Sequence, residues 1–243
     1  MARTPQIRRL EEASARPADA QMRLRDLLTR TAEPTGRSTA ETPAIGPFLT
    51  LSRQAGSGGA EVARQIGLRL CWAIYDRDLV DALARRLELA PGMLDLMDET
   101  RSNWFNDTLL NLLNSRLVFQ DSYVSMLGKV MLLAVCEGRS IIVGRAGHLL
   151  LPADAGLRVR LIAPRDERLT RICAVEAIDP VEAAARLEYL DSSRAKFIHR
   201  HFHKKPDDPS LYDMVVDTGS FGIDGAVDLI TTALRLRGLV EAD

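Results

Sequence analysis

Residues 52–59, Ser-Arg-Gln-Ala-Gly-Ser-Gly-Gly, form the segment of this chain whose residue types could bind phosphate. It follows a short apolar run, and the apolar residues after it, at positions 62, 63, 66 and 70, recur at helical spacing. Glycines let successive backbone N–H groups point at one ligand, and the start of a helix adds the positive end of its dipole. The pattern predicts a strand, a phosphate-binding turn and a helix, with nucleotide chemistry as the leading hypothesis.

The segment departs from the P-loop pattern Gly-x-x-x-x-Gly-Lys-Ser/Thr. Gly58 takes the place of the second glycine, whereas Arg53 stands at the first. Gly59 replaces the lysine, and Ala60 replaces the hydroxyl residue that binds Mg²⁺. The lost lysine leaves Arg53 and Arg64 as candidates to supply its positive charge.

Two polar residues follow apolar runs that predict buried strands. Arg145 lies in a Gly-Arg-Ala-Gly turn after residues 140–143, and its planar guanidinium could bind phosphate oxygens bidentately or tie down the turn. Asp76 could bind a substrate hydroxyl, hold Mg²⁺ through water, or cap the helix that we expect near residue 78. These alternatives stay open at the level of the sequence.

A basic set lies in the second half of the chain. Arg168 and Arg171 are three residues apart on a predicted helix, and Arg194 lies on the next one. They could surround a transferred phosphoryl group, or, for Arg168 and Arg171, form a solvated charged face. The alternating histidines at 199, 201 and 203 are interleaved with basic residues, which favours a mobile basic flap over a metal site.

The elements that must position these residues alternate along the chain. We expect strands at 48–51, 71–75, 140–143, 157–163 and 214–217, and helices at 78–88, 91–101, 104–137, 166–177, 180–201 and 223–236. The helical stretch at 104–137 is expected to be interrupted around residues 120–122 or at Gly128. The alternation predicts an α/β fold with a central parallel sheet flanked by helices, which binds its ligands beyond the carboxyl ends of the strands. Residues 1–44, rich in Arg, Ala, Thr and Pro, predict a disordered or loosely docked arm and linker before a domain at 45–238.

Composition narrows the classes of partner. The chain has 243 residues, 46% of them hydrophobic, and a net charge of −1, so no overall field attracts nucleic acid or a membrane. No apolar run is long enough to cross a bilayer, and no secretory signal begins the sequence. The unpaired spacing of Cys71, Cys136 and Cys173 predicts buried free thiols in a reducing compartment, so we expect a cytoplasmic protein.

Taken together, several segments resemble the cytidylate kinase-like family, a branch of the P-loop nucleoside monophosphate kinases. They are residues 52–59, Tyr75-Asp76, the Ile142 to Gly147 turn, residues 158–164, and Tyr212-Asp213 followed by Asp217-Thr218. The resemblance implies a three-layer P-loop fold with a helical NMP-binding insert and a lid, and ATP with Mg²⁺ at the glycine loop. It also implies that Asp76 and Arg145 face the acceptor nucleotide, Arg168 the phosphates, and Asp191 with Arg194 the lid. Val143 and Ala146 depart from the aspartates that true cytidylate kinases carry beside the Gly-Arg pair.

The sequence therefore predicts an ATP-dependent phosphotransferase that acts on a nucleotide, with CMP among the candidates, or on a related small phosphate-bearing acceptor. The alternative is a nucleotide-binding regulatory module that has lost catalysis; a homodimer is left open. The expected catalytic residues are Arg53, Arg145, Arg168 and Arg194, and the expected substrate-binding residues are Asp76, Arg145 and Asp191. The expected ATP-binding residues are Ser52, Gln54, Gly56, Ser57, Gly58 and Gly59. We also expect that Gly56→Val or Gly58→Val abolishes nucleotide binding and leaves the fold nearly intact.

Overall fold

The computed structural model describes residues 45–89 and 122–241, which belong to two compact units. The described part of the first unit comprises residues 45–46, 75–89 and 122–138, and that of the second comprises residues 47–74 and 139–241. The predicted arm at 1–44, the predicted helix at 91–101 and residues 104–121 of the predicted helix at 104–137 lie outside the described residues.

A parallel sheet organises the fold. Its strands are β1 (Phe48–Arg53), β2 (Ala73–Tyr75), β3 (Ser140–Val143), β4 (Gly156–Ile162) and β5 (Met214–Asp217). They stand in the order β2-β3-β1-β4-β5, and β1 pairs in parallel with β3 on one side and with β4 on the other. The chain thus changes sides at β1, and the carboxyl end of such a central strand is where open parallel sheets bind their ligands.

Helices alternate with these strands, as the sequence predicts. In chain order they are α1 (Gly59–Leu70), α2 (Arg77–Leu89), α3 (Ser122–Cys136), α4 (Gly147–Leu150), α5 (Arg165–Glu176), α6 (Pro180–Phe202) and α7 (Gly222–Leu236), with a 3-10 turn at Pro209–Leu211 before β5. The predicted α/β class with a central parallel sheet flanked by helices is confirmed.

The core of the second unit lies between the sheet and two helices. The helically spaced apolar residues of α1 and α7, among them Ile66 and Val227, are fully buried with Leu49 and Val159 of the sheet. This burial supplies the main driving force for the unit, at about 25 cal/mol per Å² of apolar surface. It also fixes the start of α1 directly after the carboxyl end of β1.

The first unit contains α2 and α3, which pack against each other. The Tyr123 hydroxyl donates a hydrogen bond of 2.9 Å to the carboxylate of Asp81, so this polar group is satisfied at a buried position. Within the described residues, no helix is both long and apolar enough to span a membrane.

The expectation of three buried thiols is wrong for Cys71, which is exposed, while Cys136 and Cys173 are partly exposed. Cys71 ends α1 in the left-handed conformation, with φ of 54°. A side chain at such a helix end lies outside the packed face, so the apolar neighbours in the sequence do not bury it.

Candidate functional site

The glycine-rich segment forms a tight turn between β1 and α1. Gly58 precedes the helix in the left-handed conformation, with φ of 76°, and α1 begins at Gly59. Among the described residues, the N–H groups of Gly56, Gly58, Gly59 and Ala60 donate to no other protein group. A cluster of unsatisfied donors at a helix N-terminus is an arrangement that binds anions.

The carbonyl groups of the same turn are held by the protein. The Ser57 carbonyl accepts a hydrogen bond of 2.9 Å from the Thr218 hydroxyl, and Arg171 Nη1 lies 3.5 Å from the Gly56 carbonyl oxygen. Arg171 also donates to the Thr218 hydroxyl and carbonyl, at 2.9 Å each, which joins the end of β5 to α5. These contacts hold the carbonyl oxygens, and the N–H groups of Gly56, Gly58, Gly59 and Ala60 are left for a ligand.

Asp191 and Arg168 brace the beginning of the turn. One carboxylate oxygen of Asp191 accepts from the Ala55 N–H at 2.7 Å, and the other accepts from Arg168 Nη1 at 2.6 Å. The same Nη1 lies 3.3 Å from the Ala55 carbonyl oxygen, and Arg168 is only 8% exposed. The alternative prediction that Arg168 lies on a solvated charged face is therefore wrong, because its side chain is buried between α5, α6 and the turn. Its catalytic role and the substrate contact of Asp191 stay predictions.

The glycines of the turn are also required by close packing. A Cβ on Gly56, whose φ is +73°, would lie 2.5 Å from the Arg168 carbonyl oxygen, and one on Gly58 would collide with Ile223 Cδ1. The expectation that Gly56→Val spares the fold is therefore at odds with the structure. The turn leaves no room for a branched side chain even before a ligand binds.

Gln54 keeps the turn on the neighbouring strand. Its backbone N–H donates to the Leu161 carbonyl at 3.0 Å, and its side-chain oxygen accepts from the Ala163 N–H at 3.2 Å. The Gln54 side chain thus adds one hydrogen bond, to the residue that follows β4, beyond the last paired residues of β1 and β4. This contact positions the turn, while its predicted contact with ATP is untested.

Arg145 lies in a turn of unusual backbone conformation after β3. Gly144, Arg145 and Ala146 have φ of 82°, 48° and 57°, and non-glycine residues adopt such values at a cost. The Arg145 guanidinium carbon lies 5.5 Å from the centre of the Phe197 ring on α6, which is a cation–π distance. Phe197 therefore contributes to the position of the arginine side chain.

Helix α6 runs past the site with residues three apart on one face. Asp191 holds the glycine turn, Arg194 Nη1 donates to the Arg53 carbonyl at 3.0 Å, and Phe197 contacts Arg145. The predicted site residues of β1, α5 and α6 are thus brought together at the carboxyl edge of the sheet.

Comparison with known proteins decides the family. The family model described as "Cytidylate kinase-like family" matches residues 48–220, which include the whole site of the second unit. The chain belongs to the cytidylate kinase-like family.

Relatives of this family member cover only parts of it. Cytidylate kinase from Methanopyrus kandleri is 31% identical over 103 residues, which is 41% of this chain and 53% of that enzyme. Uronate isomerase from Corynebacterium glutamicum is 31% identical over 98 residues, which is 40% of this chain but 19% of that protein. The match therefore spans about half of the kinase and a smaller part of the isomerase.

Among solved structures, a crystal structure of an uncharacterized protein from Eubacterium ventriosum ATCC 27560 superposes with a TM-score of 0.54 at 18% identity. It covers 77% of this chain and 98% of that one. At this identity the likeness shows a shared fold.

A partly buried polar cluster beside the turn is not among the features that the sequence predicts. The Ser52 hydroxyl lies 3.2 Å from Arg160 Nη1 and 3.3 Å from the Tyr212 hydroxyl. Arg160 is 7% exposed, lies over the Tyr212 ring at 5.6 Å, and pairs with Asp207 at 2.5 Å. In this family member Ser52 thus contacts the protein interior. The signal in the sequence is the arginine at 160, one of two arginines in a strand whose register places Arg160 opposite Ser52.

His148 adjoins this cluster, with its ring 4.8 Å from that of Tyr212. Burial lowers the pKa of His148 to about 3, and the charges of Arg160 and Arg158 add to the effect. The imidazole is therefore neutral at physiological pH, and its Nε2 has no hydrogen-bond partner among the described residues.

Asp76 belongs to the first unit, where it caps α2. Its carboxylate accepts from the Leu79 N–H at 2.9 Å, and its carbonyl accepts from the Val80 N–H at 3.0 Å. Of the alternatives that the sequence left open, the structure supports the helix cap. Contact of Asp76 with an acceptor or with Mg²⁺ stays a prediction.

The histidine segment is the end of α6, because the chain is helical through Phe202 and His203 is the left-handed cap. The rings of His199 and His203 lie 6.4 Å apart. In the part of the chain that the structure describes, no group of three or more potential metal ligands occurs. The segment is therefore the last turn of a helix, and the predicted mobility stays untested.

Proposed function

We propose that this protein is an ATP-dependent phosphotransferase that acts on a nucleotide, or on a related small phosphate-bearing acceptor. The observation that carries the proposal is the glycine turn, whose carbonyls are held by Arg168, Arg171 and Thr218. The N–H groups of Gly56, Gly58, Gly59 and Ala60 have no acceptor among the described residues. Such preorganised amides fit the oxygens of a polyphosphate.

Catalysis in this proposal rests on position and charge. The amides of the turn and the start of α1 hold the polyphosphate of ATP, and Arg145, directed by Phe197, contributes a cation at the same edge of the sheet. Arg194 holds the Arg53 carbonyl and contributes its charge nearby. Each of these groups stabilises the negative charge that spreads over the transferred phosphoryl oxygens.

The residues fit ATP better than they fit a protein-bound Mg²⁺. Ala60 offers no oxygen where the P-loop pattern places a Mg²⁺ ligand, and the Ser57 hydroxyl donates to the Gln54 carbonyl at 2.9 Å. Mg²⁺ that arrives with ATP would neutralise phosphate charge and keep most of its water ligands. No residue of the turn is assigned to it.

The absent lysine and hydroxyl favour one rival, a nucleotide-binding module without catalysis. A screen of phosphoryl transfer from ATP with Mg²⁺ to the common nucleosides and nucleoside monophosphates separates the two. Transfer to any acceptor supports the enzyme, whereas tight ATP binding without transfer supports the module. Absence of ATP binding in calorimetry would refute both.

In this proposal the protein binds a small molecule as its partner. We also propose that the protein is located in the cytoplasm, because ATP and reduced thiols are found together there. Cell fractionation tests the compartment. Sedimentation tests whether the protein is a homodimer.

A further inference from the structure

The position of the missing P-loop lysine is filled by the side chain of another residue. A Cβ added to Gly59 would lie 3.1 Å from Cδ and Cγ and 3.2 Å from Cβ of Arg53. These contacts are tighter than ordinary van der Waals distances, so the stem of Arg53 lies directly against the first residue of α1. A side chain at position 59 would require the Arg53 stem to shift by a few tenths of an ångström.

The other end of the Arg53 side chain is also located by a glycine. A Cβ on Gly144, whose φ is +82°, would collide with Arg53 Nη1. The guanidinium therefore lies against the turn that follows β3, and the stem reaches it by crossing Gly59. This course runs along the carboxyl edge of the sheet, beside Arg145.

The other candidate from the sequence has a different partner. Arg64 makes two hydrogen bonds with Glu61, one of 2.8 Å from Nε and one of 2.5 Å from Nη2. This pair lies on the exposed side of α1, and it raises the pKa of Arg64 and lowers that of Glu61. The charge of Arg64 is thus balanced one turn into the helix.

We infer that Arg53 supplies the phosphate-binding cation that a lysine supplies in other P-loops, and that Gly59 is a glycine because the Arg53 side chain crosses it. The inference rests on the proposed function and assigns Arg53 to the β- and γ-phosphates of ATP. A guanidinium binds two phosphate oxygens at once, so the exchange conserves charge and adds a second hydrogen bond.

The test is a set of variants whose affinity for Mg²⁺-ATP is measured by calorimetry. Arg53→Ala is expected to weaken binding by about 10- to 100-fold, the range for one charge-assisted contact. Arg64→Ala is the matched control, because it removes an arginine from the helix that Gly59 begins, and it should stay within about twofold of the wild type. The double variant Arg53→Ala/Gly59→Lys should recover at least about tenfold, because the space beside position 59 is then open to a lysine.

Arg53→Ala/Gly59→Ala isolates the charge, because it places a Cβ at the same position and should bind as weakly as Arg53→Ala. Thermal melts establish that each variant is folded. The inference is overturned if Arg53→Ala binds within about twofold of the wild type, or if lysine at 59 recovers no more than alanine at 59. A wild-type protein that binds no ATP would refute the proposed function itself, a result distinct from either of these.

Discussion

The bracket formed by Asp191, Arg168 and Ala55 gives the sharpest test of how the glycine turn is held. Asp191→Ala removes the acceptor of the Ala55 N–H at 2.7 Å and of Arg168 Nη1 at 2.6 Å. It also leaves Arg168 as a cation that is 8% exposed and whose Nε has no partner among the described residues. The variant therefore loses two charge-assisted contacts and leaves the buried charge of Arg168 without its carboxylate partner.

The expected loss follows from these contacts. Breaking a buried ion pair by removing one partner costs about 3–5 kcal/mol of unfolding free energy. The Asp191 side chain is 30% exposed, so water can reach part of the space and the loss is expected near the lower end, at about 3 kcal/mol. For a protein of this size that corresponds to a fall in melting temperature of about 6–12 °C.

The assay is denaturant unfolding with thermal melts, and the same two helices provide the control. Arg186 on α6 pairs with Glu176 on α5 at 3.1 Å, with side chains 43% and 36% exposed. Glu176→Ala should therefore cost no more than about 1 kcal/mol. The double variant Asp191→Ala/Arg168→Met has no buried charge that lacks a partner at this position. It should therefore be more stable than Asp191→Ala alone. An Asp191→Ala protein as stable as Glu176→Ala would refute the bracket.

Three further predictions concern the surroundings of the site. Phe197→Leu removes the ring beside Arg145 and should lower kcat/KM by about 3- to 30-fold, with tyrosine restoring it; equal rates for leucine and tyrosine would count against a cation–π contact. Burial lowers the pKa of His148 from its ordinary value of 6.5 to about 3 in the folded protein, so its contribution to stability is complete above about pH 6.5 and declines as the pH falls toward 3. The stability difference between wild type and His148→Gln should therefore change by about 1 kcal/mol between pH 7 and 5.5, and a constant difference would contradict this. Gly56→Ala should destabilise more than Gly222→Ala in urea melts, because both have positive φ but only the first meets backbone within 4 Å; equal losses would show that packing is not the reason.

Local patterns predicted most of the elements around the site. The strands at 140–143 and 214–217 have the predicted bounds, and the strand expected at 157–163 lies at Gly156–Ile162. The apolar runs at 140–143 and 157–163 are followed by Gly144 and Pro164, so adjacent residues alone indicate where these strands end. The position of the glycine turn between β1 and α1 follows from the same kind of signal.

The roles of individual side chains were harder to predict. Arg168 fitted a solvated face by its spacing, yet it is buried against Ala55 and Asp191. Cys71 fitted a buried thiol by its apolar neighbours, yet it is exposed at the end of a helix. The burial of a side chain depends on residues that are distant in the sequence and pack against it in the fold, and neighbouring residues do not specify these contacts.

The sequence by itself determined the family, the alternation of strands and helices, and the place of the glycine-rich turn, because glycine spacing and hydrophobic periodicity are properties of adjacent residues. Only the tertiary structure decided that Arg53 lies across Gly59 and that Asp191 holds Ala55, residues 136 positions apart. Such pairs form only after the sheet order and the course of α6 are set by burial of the core. The motif shows that the lysine is absent, whereas the position of Arg53, which we infer supplies the charge in its place, follows from the tertiary structure.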